Sequence, residues 1–257
     1  MRKDINISQY AFVIRQLARK EHIKNTSETR LMELWNVANP LLYMIIMTAF
    51  YSTLFLHDIE NYPLFFLIGI IHYNFFNGIT SGAINSLADN KNFLLTTRLP
   101  NNVFLLEKVY SRIIYLFYQS IALVILLIYF RIPVNLSLLC IIPILLVAVF
   151  LHTGIGKFLA VWGVLFPDID YIYSIITTII FFASGLMYPL SKLSVAARQV
   201  IVLNPLFLLV DMTRDCVLYA RMPELNSMIK LILTTAFVYV FGTIYFEKSK
   251  KEIMMRL

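Results

Sequence analysis

The sequence predicts an all-α membrane protein: six transmembrane helices, an amphipathic interface helix ahead of the first, and a re-entrant helical hairpin on the outer side before the last. Three observations predict it. Of the 257 residues, 59% are apolar and only 14% are charged, against about 25% charged in a typical soluble domain. The mean hydropathy is +0.74, more than a water-soluble fold can hide from solvent. The apolar residues also come in unbroken runs near the length a helix needs to cross the hydrocarbon core, roughly 20 residues. A barrel would show alternating segments of about ten. Finally, Lys and Arg are concentrated in alternate connections. Disorder and a disulfide scaffold fail on the same composition, with only 2 cysteines present.

The first element is the segment Met1–Glu33, which is basic but lacks the apolar run of a signal peptide. Within it Ile7, Tyr10, Ala11, Ile14, Leu17 and Ala18 share one helical face, while Arg15, Arg19 and Lys20 lie elsewhere. A basic amphipathic helix before a first span belongs in the cytoplasmic interface. Its pattern fits a simple anchor and a contact with a partner protein equally well.

Six apolar stretches follow: Leu34–Leu56, Leu64–Ile84, Ile113–Phe130, Leu136–Ile155, Tyr171–Tyr188 and Met228–Phe246. None contains Asp, Glu or Arg, and Lys230 sits within a turn of a span end. The turn Leu56–Pro63 has no cation and carries Asp58 and Glu60, whereas the next connection holds Lys91, Arg98 and Lys108, with Arg112 just behind. The third-to-fourth link has Arg131 alone, and the tail adds Lys248, Lys250, Lys251 and Arg256. Positive charge marks the cytoplasmic side, so both termini are expected inside. The division expected is a cytoplasmic amphipathic segment over 1–33, a bundle over 34–246 and a cytoplasmic tail over 247–257. The net charge of +7 is accounted for by basic loops facing an anionic leaflet, with no nucleic acid as partner.

Two connections are too long to be turns. Asn85–Lys108 reads as a short polar helix with an apolar edge, closed by Pro100, and is placed to receive force from another subunit. Pro189–Ser227 is apolar in its middle, from Val200 to Val210, but too short to span and broken at Asn204-Pro205. That is the pattern of a re-entrant hairpin, tolerated where protein or a cavity surrounds it.

The search for reaction chemistry is mostly negative. Cys140 and Cys216 form no CxxC pair, and His22, His57, His72 and His152 are scattered without metal spacing. Gly154-Ile155-Gly156-Lys157 lacks the spacing of a phosphate loop. No span carries the carboxylate of a proton-coupled carrier. Neutral polar residues stand out instead: Asn36 and Asn39 in the first span, then Asn74, Asn77, Gly78, Thr80, Ser81 and Gly82 in the second, with Tyr43, Phe50, Tyr51 and Tyr73 nearby. Taken singly, these residues read first as helix–helix glue with a GxxxG contact and ordinary packing, and second as a path for sugars, which stack on rings and bond to amides.

The residues also match a family in order along the chain. Leu34-Trp35-Asn36-Val37-Ala38-Asn39-Pro40-Leu41-Leu42 opens the first span and Tyr62-Pro63-Leu64-Phe65-Phe66-Leu67-Ile68-Gly69 the second. Phe166-Pro167-Asp168-Ile169-Asp170 precedes the fifth, Met187-Tyr188-Pro189-Leu190 closes it, and Asn204-Pro205-Leu206 with Arg214-Asp215 completes the set. The whole chain resembles the membrane permease subunits of ATP-binding-cassette exporters for capsular polysaccharide, lipopolysaccharide O-antigen and teichoic acid. Pro167 stands where many relatives have a basic residue.

The resemblance implies a single permease domain that works as a homodimer in a bacterial cytoplasmic (inner) membrane. It implies two separate ATPase subunits, which hold ATP and Mg, so that this chain binds no cofactor. It implies a lipid-linked polysaccharide as substrate. By position, ATPase coupling falls to Asp89, Asn90, Lys91, Asn92 and Phe93, with Arg15 and Arg19. An outer gate falls to Leu203, Asn204, Pro205, Leu206 and Phe207, and the channel lining to Tyr43, Phe50, Tyr173, Phe181 and Phe182. Lys24 and Arg30 are placed to meet a lipid diphosphate or to act as ordinary flanking charges. A small-molecule exporter on the same scaffold is the alternative within transport. Outside it stands a membrane-embedded transferase, for which Asp168 and Asp170 would be the interfacial acids, although acids at a helix start also suit the helix dipole.

Overall fold

The computed structural model describes residues 7–26, 32–55, 59, 61–97 and 99–257, and these are helical apart from short connections. The chain opens with α1 (Ile7–Thr26), followed by α2 (Met32–Phe55) and α3 (Tyr62–Asn85). A short α4 (Lys91–Thr96) leads to α5 (Asn102–Tyr129), and a 3-10 turn over Leu136–Cys140 leads to α6 (Ile141–Leu165). Then come α7 (Ile169–Ala183), α8 (Val195–Ile201), α9 (Pro205–Val217) and α10 (Leu225–Arg256). By length and apolar character α2, α3, α5, the stretch 136–165 and α10 can each cross a membrane. The expected tail is continuous with the last helix, because α10 runs on to Arg256.

The expected fifth span, Tyr171–Tyr188, is a shorter object. Helix α7 has 15 residues, about 22 Å at 1.5 Å per residue, which falls short of a hydrocarbon core of about 30 Å. Two features end it early. Gly185 adopts φ +60, a conformation that costs glycine little and other residues much. The next carbonyls then turn toward Arg214, which is 2% exposed. Its Nη1 donates to the Gly185 carbonyl at 2.9 Å and its Nη2 to that of Leu186 at 3.0 Å. Nε and Nη2 reach the Phe65 carbonyl in α3 at 3.1 and 2.9 Å, and the guanidinium stands 3.3 Å from the centroid of the Phe65 ring. One side chain thus terminates α7 and fastens it to α3 and α9. Neither apolar length nor periodicity registers such a contact.

Helix α3 is the axis of the molecule, buried along most of its length. Its apolar residues pack with α6 and α9 in the main core, around Phe66, Ile79, Ile144, Leu151, Leu206, Phe207 and Leu209. Helices α6 and α10 approach most closely where Gly154 meets Gly242, since a Cβ at Gly242 would lie 2.3 Å from the Gly154 carbonyl oxygen. Beside them Lys157 donates to the Thr243 hydroxyl at 2.8 Å and covers the Tyr239 ring. A second core at the end where α4 lies joins Leu87, Leu94, Phe104, Ala160, Phe246 and Ile253. Helices α8 and α9 meet at 95°, at the break expected from Asn204-Pro205. Pro205 takes the first position of α9, where no amide proton is needed, and the Asn204 side chain caps the helix by accepting from Leu206 N at 3.0 Å.

Candidate functional site

Four helices leave a cavity of about 950 Å³ between them, at the upper end of ligand-site volumes. From α2 it takes Asn36, Asn39, Tyr43 and Met47, which recur every three or four residues and so form one stripe. Helix α3 adds Tyr73, Asn74, Asn77, Gly78, Ser81 and Gly82, helix α5 adds Arg112, Tyr115 and Gln119, and α7 adds Thr178, Phe181 and Phe182. Among the described residues the lining holds no carboxylate and one guanidinium.

The polar groups are partly oriented. The Ser81 hydroxyl donates to Asn77 Oδ1 at 2.9 Å, and the Tyr73 hydroxyl donates to the Thr177 carbonyl at 3.3 Å. Tyr73 meets Phe181 edge to face at a centroid separation of 4.9 Å, and Phe181 meets Phe182 at 5.5 Å. The Nδ2 of Asn36, by contrast, is buried without a hydrogen-bond partner among the described residues, a donor whose isolation carries a cost until something accepts from it. Rings, amides and one cation together can hold a long, neutral, hydroxyl-rich chain with an anion near one end.

The pair Gly78 and Gly82, which has helix-contact spacing, makes room instead for two long cationic side chains. A Cβ at Gly78 would lie 2.7 Å from Arg112 Cδ, and one at Gly82 would lie 3.6 Å from Lys108 Cδ. Arg112 lies across α3 into the cavity with its guanidinium over the Tyr115 ring at 5.1 Å. Sequence reading missed Arg112 as a site residue because it sits one position before an apolar run and looks like a flank. The available signal was its coincidence with two glycines four residues apart on a neighbouring helix.

The remaining expected residues are spread over the molecule. Tyr43, Phe181 and Phe182 line the cavity. Phe50 does not line it, lying further along α2 and 70% exposed; Tyr173 is buried with Ile84, Leu159 and Ile169. Of the gate residues, Leu203 is 80% exposed at the break while Leu206 and Phe207 are in the core, and Asn204 Nδ2 ties the break to the end of α7 through the Ala183 carbonyl and the Ser184 hydroxyl at 3.1 and 2.9 Å. Asp89, Lys91, Asn92 and Phe93 form an exposed knob around α4, with Asn90 bonded to the Ser86 carbonyl at 2.9 Å and Leu94 rooted in the second core. Lys20 of α1 covers the Phe93 ring at 4.9 Å, and Arg15 and Arg19 are exposed on α1. Helix α1 is also clasped to α5, where Glu21 pairs with Lys108 at 2.7 Å and Glu107 lies 3.6 Å from the same ammonium. Burial pushes the Glu21 carboxyl up, but hydrogen bonds with Glu107 and Lys108 outweigh it and hold the group below the usual carboxylate range. Asp170 accepts from Asn85 Nδ2 at 2.7 Å at the start of α7, and Asp168 is exposed beside it. Arg30 and the Lys24 side chain lie outside the described residues.

Comparison with known proteins adds what geometry alone does not. The profile of the family described as ABC-2 type transporter matches residues 13–218, most of the chain. The chain belongs to the ABC-2 type transporter family. It is 23% identical over 247 residues to the O-antigen export system permease protein RfbA of Myxococcus xanthus, covering 95% of each chain. It is 24% identical over 219 residues to the polysialic acid transport protein KpsM of Escherichia coli, covering 81% of this chain and 83% of that one. An O-antigen export system permease protein RfbA of Klebsiella pneumoniae is 23% identical over 219 residues, covering 84% of each. The stretch of this ABC-2 type transporter chain that the profile matches begins within α1 and ends just past α9, so it takes in all four helices that line the cavity.

Proposed function

We propose that this chain is the transmembrane subunit of an exporter that moves a lipid-linked polysaccharide across a bacterial cytoplasmic membrane, driven by ATP hydrolysis in a separate subunit. The observation that carries the reading is the cavity. Among the described residues its aromatic rings, amides and unpaired Asn36 donor, with no carboxylate, suit a glycan, and Arg112 suits the phosphate of a lipid carrier as a bidentate donor. The relatives named for O-antigen export and polysialic acid transport point to a polysaccharide cargo, neutral or acidic. Helix α7 is exposed along an apolar face, including Ile172, Ile175, Ile179 and Phe182, which fits a second copy of the chain completing the path.

In this reading both termini are cytoplasmic, α1 lies along the inner interface and α8–α9 form a re-entrant hairpin on the outer side, with the gate at Leu203–Phe207. The knob Asp89–Phe93, backed by Arg15 and Arg19, docks on the ATPase. The test is ATPase turnover in nanodiscs of this chain co-expressed with its ATPase, with and without lipid-linked polysaccharide. Stimulation is expected, and its loss is expected in a variant carrying Asp89→Ala and Phe93→Ala. A chain that recruits no ATPase and itself modifies a lipid-linked sugar would be a transferase, and the transport reading would fall.

A further inference from the structure

The two cysteines, Cys140 and Cys216, stand far apart in the sequence but close together in the fold. Cys140 ends the 3-10 turn that leads into α6, and Cys216 lies in the last turn of α9. The Ser137 hydroxyl in that 3-10 turn donates to the carbonyl of Cys216 at 2.9 Å, which fixes the two segments side by side. In a 3-10 helix residues i and i+3 eclipse, so Cys140 projects from the same edge as Ser137, about 6 Å further along. Both side chains pack in one core cluster, Cys216 fully and Cys140 in part, and both are free thiols in the structure. Cys140 remains half-exposed, with its thiol directed at the Met222 sulfur at 3.4 Å.

We infer that Cys140 and Cys216 form a disulfide that locks the end of α9 to the start of α6. The inference rests on the proposed topology, which puts both residues at the outer face, where an oxidising compartment allows such bonds to form and persist. The half-exposed Cys140 thiolate attacks an oxidised dithiol catalyst, forming a mixed disulfide and releasing one catalyst thiolate. Cys216 then gives up its proton and attacks the Cys140 sulfur. The second catalyst thiolate leaves, the S–S bond closes, and two electrons have passed to the catalyst, which ends as a dithiol. The order follows from access, since Cys140 is partly exposed and Cys216 is buried. The bond would hold α9 while leaving α8, across the 95° break, free of it.

The experiment counts thiols. Cells expressing the full chain are quenched in acid, denatured and alkylated with a maleimide–polyethylene glycol, with and without prior reduction. The expected result is no mass shift before reduction and two additions after it, on a band of monomer mass. Cys140→Ser and Cys216→Ser should each gain one addition without reductant. Two additions in the unreduced wild type would overturn the bond, as would a reducible band of twice the mass, which would mean pairing between copies. A separate arm tests the topology. Membrane-impermeant maleimide on reduced, intact spheroplasts should mark Cys140, and protection there with labelling in inverted vesicles would fault the sidedness rather than the geometry.

Discussion

Arg214 decides how the bundle closes where α3, α7 and α9 meet. Its donors satisfy the carbonyls of Gly185 and Leu186, which lie beyond the end of α7 and have no helical partner, and add a second bond to the Phe65 carbonyl of α3. Lysine can carry the charge but has no planar fork to reach three carbonyls at once. Arg214→Lys is therefore expected to leave at least one of them unsatisfied, at about 1–3 kcal/mol for each buried group so orphaned. The measurement is thermal unfolding of purified chain in detergent, where a clear fall in Tm is expected while secondary structure below the transition stays the same. An unchanged Tm would mean that water or another donor replaces the guanidinium. Charge counting along the sequence gave no hint of this role, because Arg214 lies in what reads as a connection and its partners are up to 149 positions away.

At the level of elements, the joint between α1 and α5 is the place where pH should be felt. The Glu21 carboxyl is held below its usual range in the folded state, so its ionised form is favoured by folding. That contribution is complete above the ordinary carboxylate range and disappears as pH falls through the lowered value. Glu21→Gln is expected to cost under ~1 kcal/mol at neutral pH, since the pair is only partly buried. The gap in Tm between wild type and variant should close on acidification, and a gap that persists in acid would show that shape rather than charge holds α1. Elements were the most legible layer of this sequence. Apolar run length found α2, α3, α5, α6 and α10, and Asn204-Pro205 found the break between α8 and α9. The end of α7 was not legible, because Gly185 and Arg214 meet only in three dimensions. The same holds for Gly78 and Gly82, whose spacing signals a close neighbour without saying whether it is a backbone or an arginine.

For the molecule as a whole, the cavity between α2, α3, α5 and α7 is where the proposed path for cargo can be tested. Tyr43 lines it while 55% exposed, so removing its ring should change cargo handling more than folding. Tyr43→Ala is expected to weaken polysaccharide stimulation of the ATPase by roughly fivefold, the equivalent of about 1 kcal/mol for a lost ring contact, with Tm nearly unchanged. Equal stimulation in wild type and variant would place the glycan elsewhere. Half of the cavity could be anticipated from Tyr43, the asparagines and Phe181, because rings and amides in a charge-free span are conspicuous. The contribution of Arg112 could not, since charge at a span edge has a simpler explanation. The central position of α3 also bears on how the chain is made. Helices leave the insertion machinery in order, and α3, with Asn74 and Asn77 on one side, enters the lipid well before α6, α9 and Arg214 have been synthesised. A ribosome stalled in that interval leaves an amide-bearing helix stranded in hydrocarbon. Nascent chains cut short before α9 should therefore be natural targets for membrane proteases, and quality control would read completion of this protein at its last third.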